Sequence, residues 1–280
     1  LPKEALAALC SLRVAPLRDA SHALPAPLWA RTHLAEKGEM SSQPLWLFDL
    51  DNTLHNASHA IFPAINANMN LFMERVLKEQ GLPADQDAVN AMRQRYWRLY
   101  GATLLGMVQH HQVRPEDFLR DAHDFDDLFG MIRAERGLLN LLERLPGRKI
   151  LLTNAPLRYS RDVVRHLGLH RHFDKHISIE SMRVHGKLKP KPSRQMLQQL
   201  LARERVPAHR CILVEDTVVN LKSAKELGMR TAWITQYLAG NPHFSPAGVR
   251  RMQTMHPTYV DVKVRSVRQL AAHLRRLAGA

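Results

Sequence analysis

The chain has almost no cysteine: Cys10 and Cys211 are the only two in 280 residues. One lies near the start and the other in an apolar stretch that reads as a buried strand, which argues against a disulfide framework and for a reducing compartment, the cytoplasm. Long apolar runs are missing too. None approaches the ~18–20 residues that span a bilayer, and Leu1-Pro2-Lys3-Glu4-Ala5-Leu6 has neither the basic start nor the apolar core of a secretory signal. There is no internal repeat. Acids are scarce beside bases, 26 against 40, giving a net charge of +14. That excess favours polyanionic partners or phosphorylated substrates without choosing between them. It is uneven: residues 241–280 hold Arg250, Arg251, Lys263, Arg265, Arg268, Arg275 and Arg276 against Asp261 alone.

Apolar residues make up 45% of the chain, ample for a packed core in one large domain or a domain with an insertion. The stretch that organises the rest is Leu45-Trp46-Leu47-Phe48-Asp49-Leu50-Asp51-Asn52-Thr53-Leu54. An apolar run ending on two acids one residue apart predicts a buried strand that emerges with Asp49 and Asp51 on one face. Carboxylates so placed repel unless a proton or a cation lies between them, and a hard divalent ion with oxygen ligands, Mg2+ above all, is the natural partner. Asn52 and Thr53 are turn formers that let the backbone break away.

Residues 1–44 contain Pro2, Pro16, Pro25, Pro27 and Pro44 and are expected to be a poorly ordered extension. After Asp51, apolar residues recur at helical spacing in Ile61–Gln80, Asp85–Leu105 and Pro115–Phe129. Residues 58–137 are therefore expected to be an all-helical insertion, a lid or cap over the carboxylates. From there the pattern alternates. Helix Gly137–Leu145, strand Lys149–Asn154, helix Pro156–Leu167, strand His176–Ile179, helix Pro192–Glu204, strand Cys211–Val214, helix Val218–Leu227 and strand Thr231–Thr235 predict an α/β fold, a Rossmann-like parallel sheet with helices on both faces. Residues 45–57 and 138–240 are the expected core. Residues 241–280 are expected to form a basic loop, a strand at Thr258–Val264 and an amphipathic helix at Ser266–Leu277.

Ligands of such sheets bind outside the carboxyl ends of the strands, and three further polar clusters fall there. Thr153-Asn154 can offer a hydroxyl and backbone N–H to a phosphoryl oxygen, although Thr-Asn after a strand is most often a helix cap. Lys189, in Lys187-Leu188-Lys189-Pro190-Lys191-Pro192, is stiffened by its Pro-x-Pro frame and can point inward to balance charge. Glu215-Asp216-Thr217 is a second carboxylate pair at a strand end. His110-His111 and His170-Arg171-His172 have no carboxylate or Cys at ligand spacing and read as surface or lid residues.

In order and spacing these clusters resemble the four motifs of the haloacid dehalogenase-like (HAD) hydrolases, over about residues 44–240. The resemblance implies that Asp49 is the nucleophile, Asp51 the general acid/base, Thr153 the hydroxyl of the second motif and Lys189 the basic residue of the third. It implies a Mg2+ held by Asp49, the Asp51 carbonyl and Asp216, inner-sphere or through water, with Glu215 supporting. Many relatives carry a further acid where this chain has Asn220 and Leu221. Relatives that cleave carbon–halogen bonds lack the second Asp, so Asp51 argues for phosphate chemistry. The helical insertion with Tyr100-Gly101-Ala102-Thr103-Leu104, together with His123-Asp124-Phe125-Asp126, resembles the bacterial pyrimidine 5′-nucleotidase group, which implies nucleoside monophosphates, UMP and CMP, as substrates. Phe62, Tyr96, Tyr100 and His111 would then face a base, or else form lid core. The rivals are a phosphosugar phosphatase or mutase using the same motifs, and a nucleic-acid-binding protein that uses the basic tail beside a vestigial site. A membrane partner is not expected. Met40 precedes the first strand, and translation is expected to begin there; N-terminal mass spectrometry of the native protein checks this, a peptide from residues 1–39 being the contrary result.

Overall fold

The computed structural model describes residues 43–238 and 254–278. At its centre β1 (Leu45–Phe48) is bonded to β2 (Arg148–Leu152) on one side and to β6 (Cys211–Glu215) on the other. Four apolar residues with no polar alternation suit a strand covered on both faces. Trp46 and Phe48 enter one core and Leu45 and Leu47 the other. With β3 (Lys175–Ile177), β7 (Arg230–Ile234) and β8 (Val262–Val264) they form a six-stranded parallel sheet in the order β3-β2-β1-β6-β7-β8. The chain steps outward through β2 and β3, then returns to β6 and steps outward the other way. The order thus reverses between β1 and β6, where diverging connections leave a crevice at the strand ends.

Between β1 and β2 the chain is all helical. Helices α1 (Ile61–Glu79), α2 (Gln86–Tyr100), α3 (Thr103–His111) and α4 (Pro115–Ala122) share a core of their own around Phe72, Met73, Leu77, Val89, Met107 and Phe118. A short α5 (Leu128–Met131) follows. Helices α6 (Leu138–Arg144) and α7 (Leu157–His166) then pack on the Trp46 face of the sheet, while α8 (Arg194–Glu204) and α9 (Val218–Glu226) pack on the Leu47 face. Among the described residues no helix is long and apolar enough to cross a membrane.

Several expected elements differ in extent. The helix expected over 85–105 divides at Gly101, whose φ of 79° ends α2 in the left-handed conformation that glycine tolerates. The helix expected over 115–129 stops at Ala122. A small antiparallel hairpin of β4 (Arg183–Val184) and β5 (Lys187–Leu188) was not legible; it turns on His185 and Gly186, both at positive φ. The tail helix expected at Ser266–Leu277 is a 3-10 stretch, Val267–His273, closed by α10 (Leu274–Ala278), and the strand at 258–264 shortens to β8. Nearly all of the expected N-terminal extension, the Met40 start and most of the loop from 240 to 257 lie outside the described residues.

The insertion is held by a close approach. A Cβ added to Gly106 on α3 would meet Tyr96 Cγ at 2.2 Å, and Tyr96 is pinned by its hydroxyl, 2.7 Å from His111 Nε2. Gly106→Ala is therefore expected to push α2 from α3 and to cost about 1–3 kcal/mol. Urea denaturation reads this; a midpoint equal to the parent's would show that Tyr96 gives way freely.

Candidate active site

β1 ends at Phe48, but its ladder continues one residue further: the Asp49 N–H donates to the Val214 carbonyl at 3.0 Å. Phe48 lies opposite Val214 in the register, so Asp49 and Glu215 leave adjacent strands at the same level. The backbone then turns. Asn52 adopts φ 60°, its Oδ1 accepts from the Ser58 N–H at 3.0 Å and its Nδ2 donates to Ser58 Oγ at 2.9 Å, closing the loop on itself. Thr53 Oγ1 donates to Asp49 Oδ2 at 3.1 Å.

Two buried carboxylates at one level demand a cation, and the chain supplies Lys191. Its ammonium donates to Asp49 Oδ1 at 2.6 Å and to Glu215 Oε2 at 2.7 Å. Burial works against the charge on Lys191, yet the two carboxylates outweigh it and raise the pKa of the ammonium. The expectation for Lys189 is corrected here: Lys189 is exposed, whereas Lys191 is 3% exposed. Both lysines sit beside prolines, and only the path of the loop decides which faces inward. That path is set by Asn154, whose Oδ1 accepts from the Lys191 N–H and whose Nδ2 donates to the Lys191 carbonyl, each at 3.0 Å. Asn154, expected to bind substrate, has both ends of its amide committed to this clasp. Thr153 is buried, and its hydroxyl accepts from the Ala155 N–H at 3.1 Å; its own proton remains to be donated.

The acidic pair at the end of β6 divides its work. Glu215 receives Lys191, the Asn220 amide at 2.9 Å and the Thr217 N–H at 3.2 Å. Asn220 thus gives a neutral donor at a position where many relatives were expected to carry an acid. Asp216 has the Thr217 hydroxyl at 3.0 Å, and its carbonyl accepts from Trp233 Nε1 at 2.9 Å. One ligand oxygen each of Asp49, Glu215 and Asp216 lie within 4.8 Å of one another, the one such grouping among the described residues. Burial first, then Glu215, pushes Asp49 up to about 7 against the pull of Lys191. Burial, Glu215 and Asp49 likewise raise Asp216 well above the carboxylate range. Three buried carboxylates against one ammonium leave negative charge in excess, and an all-oxygen donor set of this kind fits a hard divalent cation.

Asp51 faces a different environment. Its Oδ1 accepts from the Tyr159 hydroxyl at 2.5 Å and lies 2.8 Å from His55 Nε2. Burial favours its protonated form, but the bonds and charge of His55 and the bond from Tyr159 outweigh burial and hold its pKa low. Neither His55 nor Tyr159 was singled out in the sequence; spacing of four from Asp51 was the one available signal for His55, and Tyr159 offered none. The Tyr100 hydroxyl is paired with His110 Nε2 at 2.5 Å within the insertion. Tyr100 shares an open pocket of about 410 Å3 with Leu105, Lys189, Pro190, Pro192 and Arg194. His111 is bound to Tyr96 and Gln80 within the insertion, as lid core.

Lys191→Met is expected to lower stability by about 3–5 kcal/mol at neutral pH, because buried carboxylates lose their partner. The sign with pH follows from the raised carboxyls. The folded form holds protons that the unfolded chain releases above its ordinary carboxylate pKa, so the variant loses stability more steeply than the parent as pH rises toward 7. Lys189→Met should stay within about 0.5 kcal/mol of the parent. Urea unfolding from pH 4 to 8 checks both; equal effects at 189 and 191 would contradict the assignment.

A protein-family model described as haloacid dehalogenase-like hydrolase matches residues 45–228. Among solved structures, the fold is similar to that of an HAD phosphatase from Thermococcus onnurineus, at 16% identity and a TM-score of 0.54, covering 84% of this chain and 100% of that one. It is also similar to an L-2-haloacid dehalogenase from Xanthobacter autotrophicus, at 18% identity and a TM-score of 0.51, covering 84% and 100%. Identities this low speak for a shared fold, and the family match spans most of the chain, including Asp49, Asp51, Lys191 and Asp216. The chain belongs to the haloacid dehalogenase-like hydrolase family.

Proposed function

We propose that the protein is a Mg2+-dependent phosphomonoesterase working through an aspartyl-phosphate, and that its substrates are pyrimidine nucleoside 5′-monophosphates. The observation that carries the first part is Asp51, a second carboxylate held by Tyr159 and His55 beside Asp49. Displacing an alkoxide from phosphorus needs a proton donor, and displacing halide does not. Asp49 attacks phosphorus in line as the ester P–O bond breaks, and Asp51 delivers its proton to the leaving oxygen. Asp51 then takes a proton from water as that water attacks the aspartyl-phosphate, freeing phosphate and restoring Asp49. The charge of the bound ester favours the protonated form of Asp51 needed for the first half. Lys191 and the hydroxyl of Thr153 offset charge on the phosphoryl oxygens, while Thr53 holds Asp49 Oδ2. Asp49, Asp216 and the Asp51 carbonyl would hold Mg2+, which when bound neutralises the excess charge of the cluster and of the phosphoryl group.

The substrate reading rests on the helical insertion, which we take as the cap covering the crevice. The Tyr100 pocket lies between that insertion and the loop that carries Lys191, with Pro190 and Pro192 in its wall. An aromatic ring with Lys189 and Arg194 nearby suits a flat, polar leaving group such as a nucleoside.

Phosphate release from UMP, CMP, AMP, GMP and several sugar phosphates, with and without Mg2+, tests both parts. Turnover led by UMP and CMP is expected, abolished without Mg2+ and in Asp49→Asn, and lowered about 10²–10³-fold in Lys191→Met. Turnover of sugar phosphates alone would overturn the nucleotidase reading and keep the mechanism. No release from any ester, with RNA retained on the protein at low salt, would favour the basic tail as the working part.

A further inference from the structure

Tyr159 belongs to no motif, yet it touches both Asp51 and the helical insertion. It sits on α7 at 2% exposure. Its hydroxyl donates to Asp51 Oδ1 at 2.5 Å, the same oxygen that His55 Nε2 approaches to 2.8 Å. His55 is fully buried, its Nδ1 has no hydrogen-bond partner, and its Nε2 faces the carboxylate, to which an N–H at that nitrogen donates. Two donors converging on one oxygen hold the carboxylate in one rotamer and leave Oδ2 as the oxygen open to a reacting group. The other side of the Tyr159 ring is built by the insertion: the ring of His123 lies 5.3 Å away and that of Phe125 5.8 Å, centroid to centroid. His123 is itself fixed, its Nδ1 lying 3.0 Å from the Leu119 carbonyl at the end of α4. Burial pushes the His123 imidazole down to about 4, so it meets Tyr159 as a neutral ring.

Resting on the phosphatase reading above, we propose that Tyr159 is a positioning residue for the acid/base: its hydroxyl fixes the Asp51 carboxylate, and its ring ties that carboxylate to the helical insertion through His123 and Phe125. In the first half-reaction the proton leaves Asp51 Oδ2 for the ester oxygen as the P–O bond breaks. In the second, Oδ2 takes a proton from water as the water oxygen bonds to phosphorus. Tyr159 keeps its own proton throughout. A hydroxyl that merely satisfied a buried carboxylate would stabilise the fold without favouring one leaving group over another, and this separates the two roles.

Tyr159→Phe preserves the ring and its packing and removes only the hydroxyl. The experiment compares kcat/KM of the parent and the variant on an alkyl ester, UMP, and on p-nitrophenyl phosphate, whose leaving oxygen departs without a proton. A loss of about tenfold or more is expected on the alkyl ester, with a clearly smaller loss on the aryl ester. Equal losses on both, or no loss on either, would overturn the proposal, because a general weakening of the fold lowers both alike. A crystal structure of Tyr159→Phe is the second measurement. Asp51 spread over more than one rotamer is expected, and a single unchanged rotamer would overturn the proposal. If the parent releases phosphate from neither ester the phosphatase reading falls, while the rotamer of Asp51 in the variant still decides whether Tyr159 holds it.

Discussion

The junction of Asp49 and Glu215, on which the acidic cluster is built, depends on the ammonium of Lys191. Parallel pairing of β1 with β6 brings Asp49 and Glu215 out of the core at one level, and two buried carboxylates there would drive the strand ends apart or force a proton between them. Lys191 reaches both within 2.7 Å and so ties three chain segments, the two strand ends and the loop before α8, into one unit. The Asn154 clasp on the Lys191 peptide brings in a fourth, the end of β2. A cation that serves two carboxylates leaves the third, Asp216, without one of its own, so that its carboxyl is driven toward its protonated form and the three acids offer oxygens that a divalent ion would fit.

The two carboxylates of the Asp49-x-Asp51 pair are driven in opposite directions by their surroundings. Burial and neighbouring acids push Asp49 up to about 7, whereas His55 and Tyr159 overcome burial and hold Asp51 low. Separation of this kind is how one residue type takes two roles in one site. It also divides the supporting structure. Asp49 is surrounded by groups from the strand ends and their loops, while the groups around Asp51 extend through Tyr159 to His123 and Phe125 of the insertion. Asp49 is thus anchored to the sheet, and Asp51 is tied through Tyr159 to residues of the insertion as well.

The parts of this arrangement legible in the sequence are those with a local pattern. The unbroken apolar run Leu45–Phe48, the helical spacing of the insertion and the strand–helix alternation after Gly137 all reflect which faces of an element are buried, and burial is written residue by residue in hydrophobicity. The acids at Asp49, Asp51, Glu215 and Asp216 were legible for a related reason: polar groups at the end of an apolar run must leave the core there. Element ends were less so. The division at Gly101 and the hairpin at His185-Gly186 are settled by backbone conformation rather than by any repeat.

What the sequence by itself determined, then, is the α/β layering, the place of the helical insertion and the acids at the strand ends, because each follows from local pattern. Tertiary structure alone decided which of two proline-flanked lysines serves those acids. It also decided that Asn154 holds the Lys191 backbone by both ends of its amide, that Asn220 steadies Glu215, and that Tyr159, 108 residues from Asp51, supplies its shortest hydrogen bond. The physical reason is the same in each case. These contacts join segments distant in the chain, and whether a lysine is buried against a carboxylate or left in water depends on the path of the backbone around it, which no spacing within its own segment records.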